Sequence, residues 1–592
     1  MCIRDSHAKK QYNVISLLSV KEHNVKPVEA YLKKNGSNSF DVVGMNSAIA
    51  SYLSNDFNYI GFACGFIVFL FLWLSMGSIE LALLSFVPMA VSWVWILGFM
   101  GLMGMQFNIV NIILATFIFG QGDDYTIFMT EGAVYEYAYR RKMLSSYKQS
   151  IIISALIMFI GMGTLIVARH PALHSLAEVT ITGMFSVVLM AYIFPPLIFK
   201  FLVSNASGYR RRPVSMKPLL RMWLAVVVFF FEIITVYVRG FFVFCFLRHT
   251  ERREQSFRRY VHRLYRYSLA HIPSVRYRVD NPFKESFKAP VMVISNHQSM
   301  LDAAVFMALS PKLVLISNNA PSSSWVVKRI YRWLGYVTLS SDMQANIALL
   351  KERVRQGYSL VMFPEGRRNP LSSILRFHKG AFYIAQELSL DIVPVMLHGL
   401  NEVLPRGSFM VYAGHIDVSI GKRISQNDAT WGTDYVSRTK AIHTYYVKQY
   451  AKIASLRESA HYFHGLLLDR YRYKGVEVYK SVKKSLKRFD DFDKWISPTP
   501  TRYNDVVVVN KGYGEFALLY ALVHKDVQVY VLEEDNERAA LISYCAEGIA
   551  HNVKIISHSY LKALDATRCK VFAFAPDGER LSTFSDVNII SL

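Results

Sequence analysis

Five apolar runs dominate the first third of the chain: about Phe57 to Met76, Ile79 to Met103, Phe107 to Thr130, Ile151 to Val167 and Ala177 to Leu202. Each is near the roughly 20 residues that an α-helix needs to cross a ~30 Å hydrocarbon layer. In such a layer every backbone N–H and C=O must be satisfied within the segment, so these runs predict five transmembrane helices. An apolar share of 52% over 592 residues, high for a purely soluble protein, agrees with that reading. Residues 1 to 56 are mixed and polar, with no basic start followed by an apolar core, so no signal peptide is read there. Arg140, Arg141, Lys142 and Lys148 lie between the third and fourth runs, and Arg210, Arg211, Arg212 and Lys217 follow the fifth. The positive-inside rule assigns both clusters to the cytoplasm, which puts residues 1 to 56 outside and everything after the fifth helix inside.

A further apolar segment, about Trp223 to Leu247, is interrupted by Glu232 and by Arg239-Gly240 and has arginines on both flanks. Spanning would leave one basic flank outside. The segment is therefore expected to dip in and return, or to lie in the interface, with an ordinary sixth span as the alternative. The net charge of +23, from 67 Lys and Arg against 44 Asp and Glu, calls for an anionic partner, and beside membrane segments anionic lipid fits best. Cys2, Cys64, Cys245, Cys545 and Cys569 show no C-x-x-C spacing. Neither a metal site nor a disulfide framework is indicated, and they read as buried reduced thiols.

The third run contains GQGDDYTIFMT, where Asp123 and Asp124 interrupt apolar sequence. A carboxylate at the bilayer centre costs about 2.5 to 3.5 kcal/mol, so such an acid either faces a cavity or proton path, or marks a helix end at the interface. The pattern G-x-G-x-D-Y in the third of five closely spaced helices resembles the resistance-nodulation-division transporters, in particular their MMPL (mycobacterial membrane protein large) branch. That resemblance covers about residues 1 to 205 and implies a proton relay at Asp124 and Tyr125. It corresponds to the tail of an extracytoplasmic domain plus the final five helices, so the other transporter half would be a separate partner.

After a basic linker comes KAPVMVISNHQSMLDAAVFMAL, which reads as a buried strand, a polar turn and a helix beginning near Ser299. On a continuous helix, residues five apart point about 140° away from each other. His297 and Asp302 converge only if His297 is in the turn. Asp302 can then hold one imidazole nitrogen while the other takes a proton from a hydroxyl. The competing reading is a helix start, since Ser299-x-x-Asp302 resembles a capping box and an acid in the first turn complements the helix dipole.

FPEGRRN (363 to 369) places a tight turn, a carboxylate and two guanidiniums at the end of another apolar run, and adjacent arginines suit a phosphate. RFHKGAFYIA (376 to 385) and DIVPVMLHG (391 to 399) continue the helix and strand alternation. Together with NHQSMLD these blocks resemble the glycerophospholipid acyltransferase family, the lysophosphatidic acid acyltransferases of the PlsC type, over about residues 220 to 460. The resemblance implies His297 as general base with Asp302 as its partner, and Asn296, Glu365, Gly366 and Arg368 around the acceptor and its phosphate. In the second block WLGYVTLSSD has Ser340 and Ser341 where the family often has arginine, so phosphate binding would lean on Arg367, Arg368 and Lys379. A thioester donor, acyl-CoA or acyl carrier protein, already carries the activation, so no metal or other cofactor is needed for acyl transfer.

The last 100 residues open with YNDVVVVNKGYGEFALLYAL, an apolar strand, a Gly512-x-Gly514 turn and a helix, and VQVYVLEEDNERAAL then ends a second strand in acids. This resembles the start of a class I S-adenosylmethionine-dependent methyltransferase, which implies the cofactor's methionine part at Gly512 and Gly514 and its ribose at Glu533. Asn510 and Lys511 depart from the usual lead-in, and a Rossmann-like module without catalysis is the alternative. RYRYKGVEVYKSVKKSLKRF (470 to 489) reads as a basic helical connector with a solvated or membrane-facing surface, and no nucleic-acid module accompanies it.

The expected fold is therefore multidomain: a transmembrane helical bundle, an α/β acyltransferase domain and a C-terminal Rossmann-like α/β domain. The segments are 1 to 56 (remnant of an extracytoplasmic domain), 57 to 205 (five-helix membrane region) and 206 to 265 (basic linker with the embedded 223 to 247 segment), then 266 to 460 (acyltransferase), 461 to 500 (connector) and 501 to 592 (methyltransferase-like). The expected activity is acyl transfer to a lysophospholipid-type hydroxyl at a bacterial inner membrane, with the enzyme domains cytoplasmic. A proton-coupled lipid exporter component carrying accessory enzyme domains is the competing class.

Overall fold

The computed structural model describes residues 16–561 except 22–23, 38, 40, 106–108, 207, 247–249, 318–323, 370–372, 489–503 and 510–511, and also 564, 569–573 and 587–589. Cys2, Asn510 and Lys511 thus lie outside the described residues. The chain divides into two units, Met1–Ala133 with Lys142–Leu197, and Val134–Arg141 with Ile198–Leu592.

The first unit is helical. After a helix at Val25–Lys34 come its long helices, α1 (Val42–Met76), α2 (Ile79–Met103), α3 (Ile109–Tyr139), α4 (Leu144–Gly163) and α5 (Pro171–Val203), the ends of α3 and α5 passing into the second unit. Local chemistry sets the bounds of α2: the Ser78 hydroxyl accepts from the Leu81 N–H at the start, and Gly104 takes a left-handed φ of 69° at the end. Ile96, Met100, Ile118, Met129, Ile151, Met184 and Val187 form the core of this unit. At Gly183 a Cβ would fall 2.6 Å from the Ile118 side chain, so the small residue lets α3 and α5 approach closely. Among the described residues, α2, α4 with its 3-10 extension to Val167, and α5 are long and apolar enough to cross a membrane, while the apolar part of α1 is Phe62–Met76. The third expected helix does not end at its aspartates: α3 runs through Asp123 and Asp124 to Tyr139.

In the second unit the segment expected to dip and return, or to lie in the interface, is one helix, α6 (Met216–Phe241), continued by a π turn to Phe246, which rules out the dip, and it is long and apolar enough to cross a membrane. The polar interruptions do not break it because its packed face accommodates them. Glu232 is buried and accepts the Ser268 hydroxyl, Arg239 lies 4.5 Å from the centre of the Tyr260 ring, and Gly240 abuts Trp333. The opposite face leaves Trp223, Val226, Phe230, Phe231 and Val238 exposed, as a lipid-facing surface would be.

Then follow α7 (Glu251–Ala270), β1 (Val275–Asp280), β2 (Met292–Ser295), α8 (Asp302–Leu309), β3 (Leu313–Ser317), α9 (Trp325–Trp333), β4 (Val337–Thr338), α10 (Met343–Arg355), β5 (Ser359–Met362), α11 (Gly380–Glu387), β6 (Ile392–His398), α12 (Leu400–Val403), β7 (Gly414–Ile420) and α13 (Tyr435–Arg457). The strands form one sheet in the order β1-β7-β6-β2-β5-β3-β4, parallel except between β6 and β7. In β2 the period-two alternation sends Val293 into one core with Val305, Phe306 and Val393, and Met292 and Ile294 into another with Leu360, Phe382 and Tyr446. Apolar cover on both faces is why this strand reads as a continuous hydrophobic run.

The C-terminal part comprises α14 (Ala460–Arg470), α15 (Val476–Arg488), β8 (Asp505–Val509), α16 (Glu515–Val523), β9 (Gln528–Leu532), α17 (Asn536–Ala546), β10 (Val553–Ile556), β11 (Cys569–Ala573) and β12 (Val587–Ile589). Its sheet is parallel throughout, in the order β10-β9-β8-β11-β12. The basic connector is more than a surface. Lys480, Lys483, Lys484 and Lys487 are exposed as expected, but Val478, Val482 and Leu486, four residues apart on α15, enter the core of this sheet. Of the cysteines, Cys545 and Cys569 are buried, whereas Cys64 and Cys245 are exposed, contrary to the expectation for them.

Candidate active site

Strand register decides which turns meet. Ile294 of β2 pairs with Met362 of β5 on one side and with Pro394 of β6 on the other. The turn that leaves β2 through His297 and the turn that leaves β5 through Phe363 and Glu365 therefore emerge side by side at the carboxyl edge of the sheet, where ligands bind in open α/β folds. Gly366 supplies a positive φ of 68° to the second turn. Gly399, just past β6, has φ 84°, and a Cβ there would lie 2.0 Å from the His415 carbonyl oxygen.

His297 Nδ1 lies 2.6 Å from Asp302 Oδ2. The carboxylate accepts, so Nδ1 carries the proton and Nε2 is the basic nitrogen. Among the described residues Nε2 has no hydrogen-bond partner, and the side chain keeps 25% of its exposure. The ring stacks on Phe363 with centroids 4.3 Å apart. His297 is also pinned through its backbone: its N–H donates to Glu365 Oε1 at 3.2 Å and its carbonyl accepts from Asn369 N–H at 2.8 Å.

Asp302 is fully buried and also accepts the N–H groups of Gln298 at 2.7 Å and Ser299 at 3.1 Å. One carboxylate thus meets the histidine and ties down the turn. The helix begins at Asp302 itself and not near Ser299, and the Ser299 hydroxyl donates to the Leu404 carbonyl at 2.9 Å instead of completing a capping box.

Two residues read as substrate-binding are directed elsewhere. The Asn296 amide is buried and exchanges hydrogen bonds with Leu397, Nδ2 to its carbonyl and Oδ1 from its N–H, each at 2.8 Å. It splices β2 to β6. Glu365 is buried, and its two oxygens accept the N–H groups of His297 and Leu375, the latter at 3.3 Å. Burial pushes its carboxyl up to about 7, against the pull of those two N–H groups. Arg367 is exposed and Arg368 half-buried on the same turn. Lys379 occupies the N-cap position of α11 without a side-chain capping bond, and its charge reaches Asp434, whose carboxyl is held low chiefly by Ser437 and least by Lys379. Ser340 and Ser341 stand after the edge strand β4, where Ser340 is bonded to Asn346.

Sequence reasoning missed three contributors. Tyr446 and Tyr450, one helical turn apart on α13, reach the back of the site. The Tyr446 hydroxyl donates to the Ile294 carbonyl and accepts the Val395 N–H at 3.1 Å, while the Tyr450 hydroxyl accepts from Gln298 Nε2 at 2.8 Å. An i, i+4 tyrosine pair after the last block was the available signal. Arg406 donates to the Arg368 carbonyl at 3.2 Å, and its P-R-G turn follows DIVPVMLHG closely.

The other predicted sites differ in kind. In the first unit Tyr125 is buried with its hydroxyl 3.0 Å from Ser154 Oγ, whereas Asp124 is exposed and Asp123 half-buried. In the C-terminal part, a Cβ on Gly512 would lie 2.7 Å from Glu515 Oε1, and one on Gly514, which has φ 80°, would lie 2.7 Å from Ile542. Glu533 pairs with Arg538 at 3.2 Å and accepts the Asp535 N–H at 3.1 Å. An S-adenosylmethionine cradle does not fit these residues. The chain's own carboxylate fills the notch beside the first glycine, and the acid assigned to ribose is taken by an arginine.

Comparison with known proteins agrees with two of the three sequence resemblances. The Acyltransferase family model matches residues 271–398 and the MMPL family model matches residues 37–229. The chain is 33% identical over 127 residues to the chloroplastic 1-acyl-sn-glycerol-3-phosphate acyltransferase BAT2 of Brassica napus, which covers 21% of this chain and 37% of the relative. It is 28% identical over 178 residues to the beta 1-acyl-sn-glycerol-3-phosphate acyltransferase of Homo sapiens, covering 28% of this chain and 61% of the relative. The chain thus spans between about a third and three fifths of the length of these relatives. The crystal structure of PlsC, the 1-acyl-sn-glycerophosphate acyltransferase of Thermotoga maritima, aligns with 18% identity and a TM-score of 0.34 over 40% of this chain and 98% of that one. An MMPL-like helical stretch followed by an acyltransferase-like α/β stretch containing the His297–Asp302 pair is what these matches establish for this chain.

Proposed function

We propose that the site around His297 transfers an acyl chain from a thioester, acyl-CoA or acyl carrier protein, to the hydroxyl of a lysophosphatidate-type acceptor. The observation that carries this is the 2.6 Å contact between His297 Nδ1 and the buried Asp302, which leaves Nε2 as an accessible base. Nε2 takes the acceptor's hydroxyl proton while the oxygen attacks the thioester carbonyl. A C–O bond forms, the C–S bond breaks, and the departing thiolate receives the proton from the imidazolium. Asp302 stabilises that imidazolium. Asn296, Glu365 and Gly366 hold the two turns in place, and Arg367 and Arg368 meet the acceptor's phosphate. The 1-acylglycerol-3-phosphate acyltransferases to which the chain is similar support the substrate class.

On this reading residues 266 to 460 are the acyltransferase domain, residues 57 to 205 an MMPL-type membrane region, and α6 a membrane-embedded anchor of the enzyme. The C-terminal part is a Rossmann-like module without methyl transfer, its β10-β9-β8-β11-β12 order being that of a doubly wound sheet. The enzyme domains would face the cytoplasm of a bacterial inner membrane, where acyl donors are made. Incubating the purified, reconstituted protein with labelled acyl-CoA and lysophosphatidate tests the function: acylation in the absence of a proton gradient is expected, and no product under any donor would refute it.

A further inference from the structure

Residues 404 to 412, between α12 and β7, are held at several points to other parts of the second unit. The Leu404 carbonyl accepts from Ser299 in the His297 turn, and Arg406 donates to the Arg368 carbonyl in the FPEGRRN turn. At the far end the Val411 carbonyl accepts from Arg221 at 3.5 Å, and Met410 and Tyr412 pack with Val214, Leu219 and Met222 at the start of α6. One loop therefore joins both turns of the site to the helix whose outer face is apolar. Its tip stays open. Arg406 is exposed beside the site, and Phe409 is 82% exposed.

The charges around the tip are distributed unevenly. The two anions of the site, Asp302 and Glu365, are buried and accept hydrogen bonds from His297 and from backbone N–H groups. Arg367 and Arg406 are exposed and form no ion pair among the described residues. A mouth with its negative charges sealed and its positive charges free attracts a polyanion. A guanidinium has five N–H donors in a fixed fork, and the Arg368 carbonyl engages one nitrogen of Arg406, which fixes the group while leaving donors for a phosphate.

We infer that Arg406 is a phosphate-binding, specificity-determining residue, gripping the acceptor's phosphate together with Arg368 from a loop anchored on α6. This rests on the proposed acyl transfer for the identity of the acceptor, but not for the binding of phosphate. Two measurements separate them. In turnover, Arg406→Ala should lower the preference for lysophosphatidate over monoacylglycerol by about 10- to 100-fold through the KM for the phosphorylated acceptor, the range for losing a charge-assisted hydrogen-bond pair, and Arg406→Lys should restore part of it. An unchanged preference, whether both acceptors suffer equally or neither does, would show that Arg406 only braces the loop and would overturn the inference. In binding, glycerol 3-phosphate should broaden its 31P resonance with the wild-type and His297→Ala proteins and not with Arg406→Ala. Broadening that depends on Arg406 in a protein that transfers no acyl chain would sink the proposed function and leave the phosphate site standing. Acyl transfer with broadening indifferent to Arg406 would do the reverse.

Discussion

The turn after β2 and the turn after β8 are built alike. Each leaves the carboxyl edge of a parallel strand, crosses a short polar stretch and enters a helix whose first residue is an acid, Asp302 in one case and Glu515 in the other. Their chemistry is opposite. Asp302 accepts from a partly exposed imidazole whose second nitrogen has no partner among the described residues. Glu515 accepts the Tyr513 N–H at 2.8 Å and fills the space beside Gly512, and Glu533 at the neighbouring strand end is paired with Arg538. A strand-turn-helix at this edge is therefore a location, and chemistry requires that it present a group with an atom left over. The glycines illustrate the same point. Gly514 has φ 80° and lies in close packing against Ile542.

Substitution at the β2 turn should break the comparison most severely. His297→Ala is expected to lower acyl transfer by about 10²- to 10⁴-fold with little change in melting temperature, since its ring is partly exposed. Asp302→Asn should lose turnover heavily as well, and the double variant should be hardly slower than His297→Ala because the pair acts as one unit. Because Asp302 also holds the Gln298 and Ser299 N–H groups, its replacement is expected to destabilise the protein by about 1 to 3 kcal/mol, visible in the melting temperature. Full activity in His297→Ala would equate the two turns and end the proposed mechanism.

The β8 turn should respond only as structure. Gly514→Ala forces an alanine to a φ of 80° and its Cβ against Ile542, and should cost about 2 to 4 kcal/mol. Faster amide exchange in β8 and a lower melting temperature would register it, while acyl transfer per folded molecule stays unchanged. A large activity defect in the folded fraction would mean the two sites communicate.

Glu365 sharpens the contrast through pH. Its folded value of about 7 lies above its ordinary 4.5, so the folded protein binds that proton more tightly. The contribution to stability is accordingly greatest at low pH and is lost as pH rises from about 4.5 through about 7. The melting temperature of the wild type should fall relative to Glu365→Gln across that window and run parallel to it above. Parallel curves throughout would show that the carboxyl ionises freely in the folded state.

The smallest effect expected is none. A ligand present at 100 times its dissociation constant stabilises a protein by about 2.7 kcal/mol. S-adenosylmethionine should leave the melting temperature unmoved at about millimolar concentration, and a clear upward shift would restore a cofactor role to Gly512 and Glu533.

Run length and spacing along the chain were enough to place the long apolar helices, the alternation of strands and helices from β1 to β7, and the demand that His297 sit in a turn to meet Asp302. These properties are local: an apolar run reports burial, and the 100° step of a helix says which neighbours can converge. The tertiary structure alone decided who meets whom. Pairing of Ile294 with Met362 and Pro394 brought Glu365 under His297 and Leu397 beside Asn296, turning two expected ligand contacts into internal ties. Packing carried Tyr446, Tyr450 and Arg406 to the site from beyond the motifs, and kept α6 a continuous helix by burying Glu232 against Ser268. A sequence pattern records the environment a residue requires, whereas its partner is set by register and packing between segments that are distant in the chain.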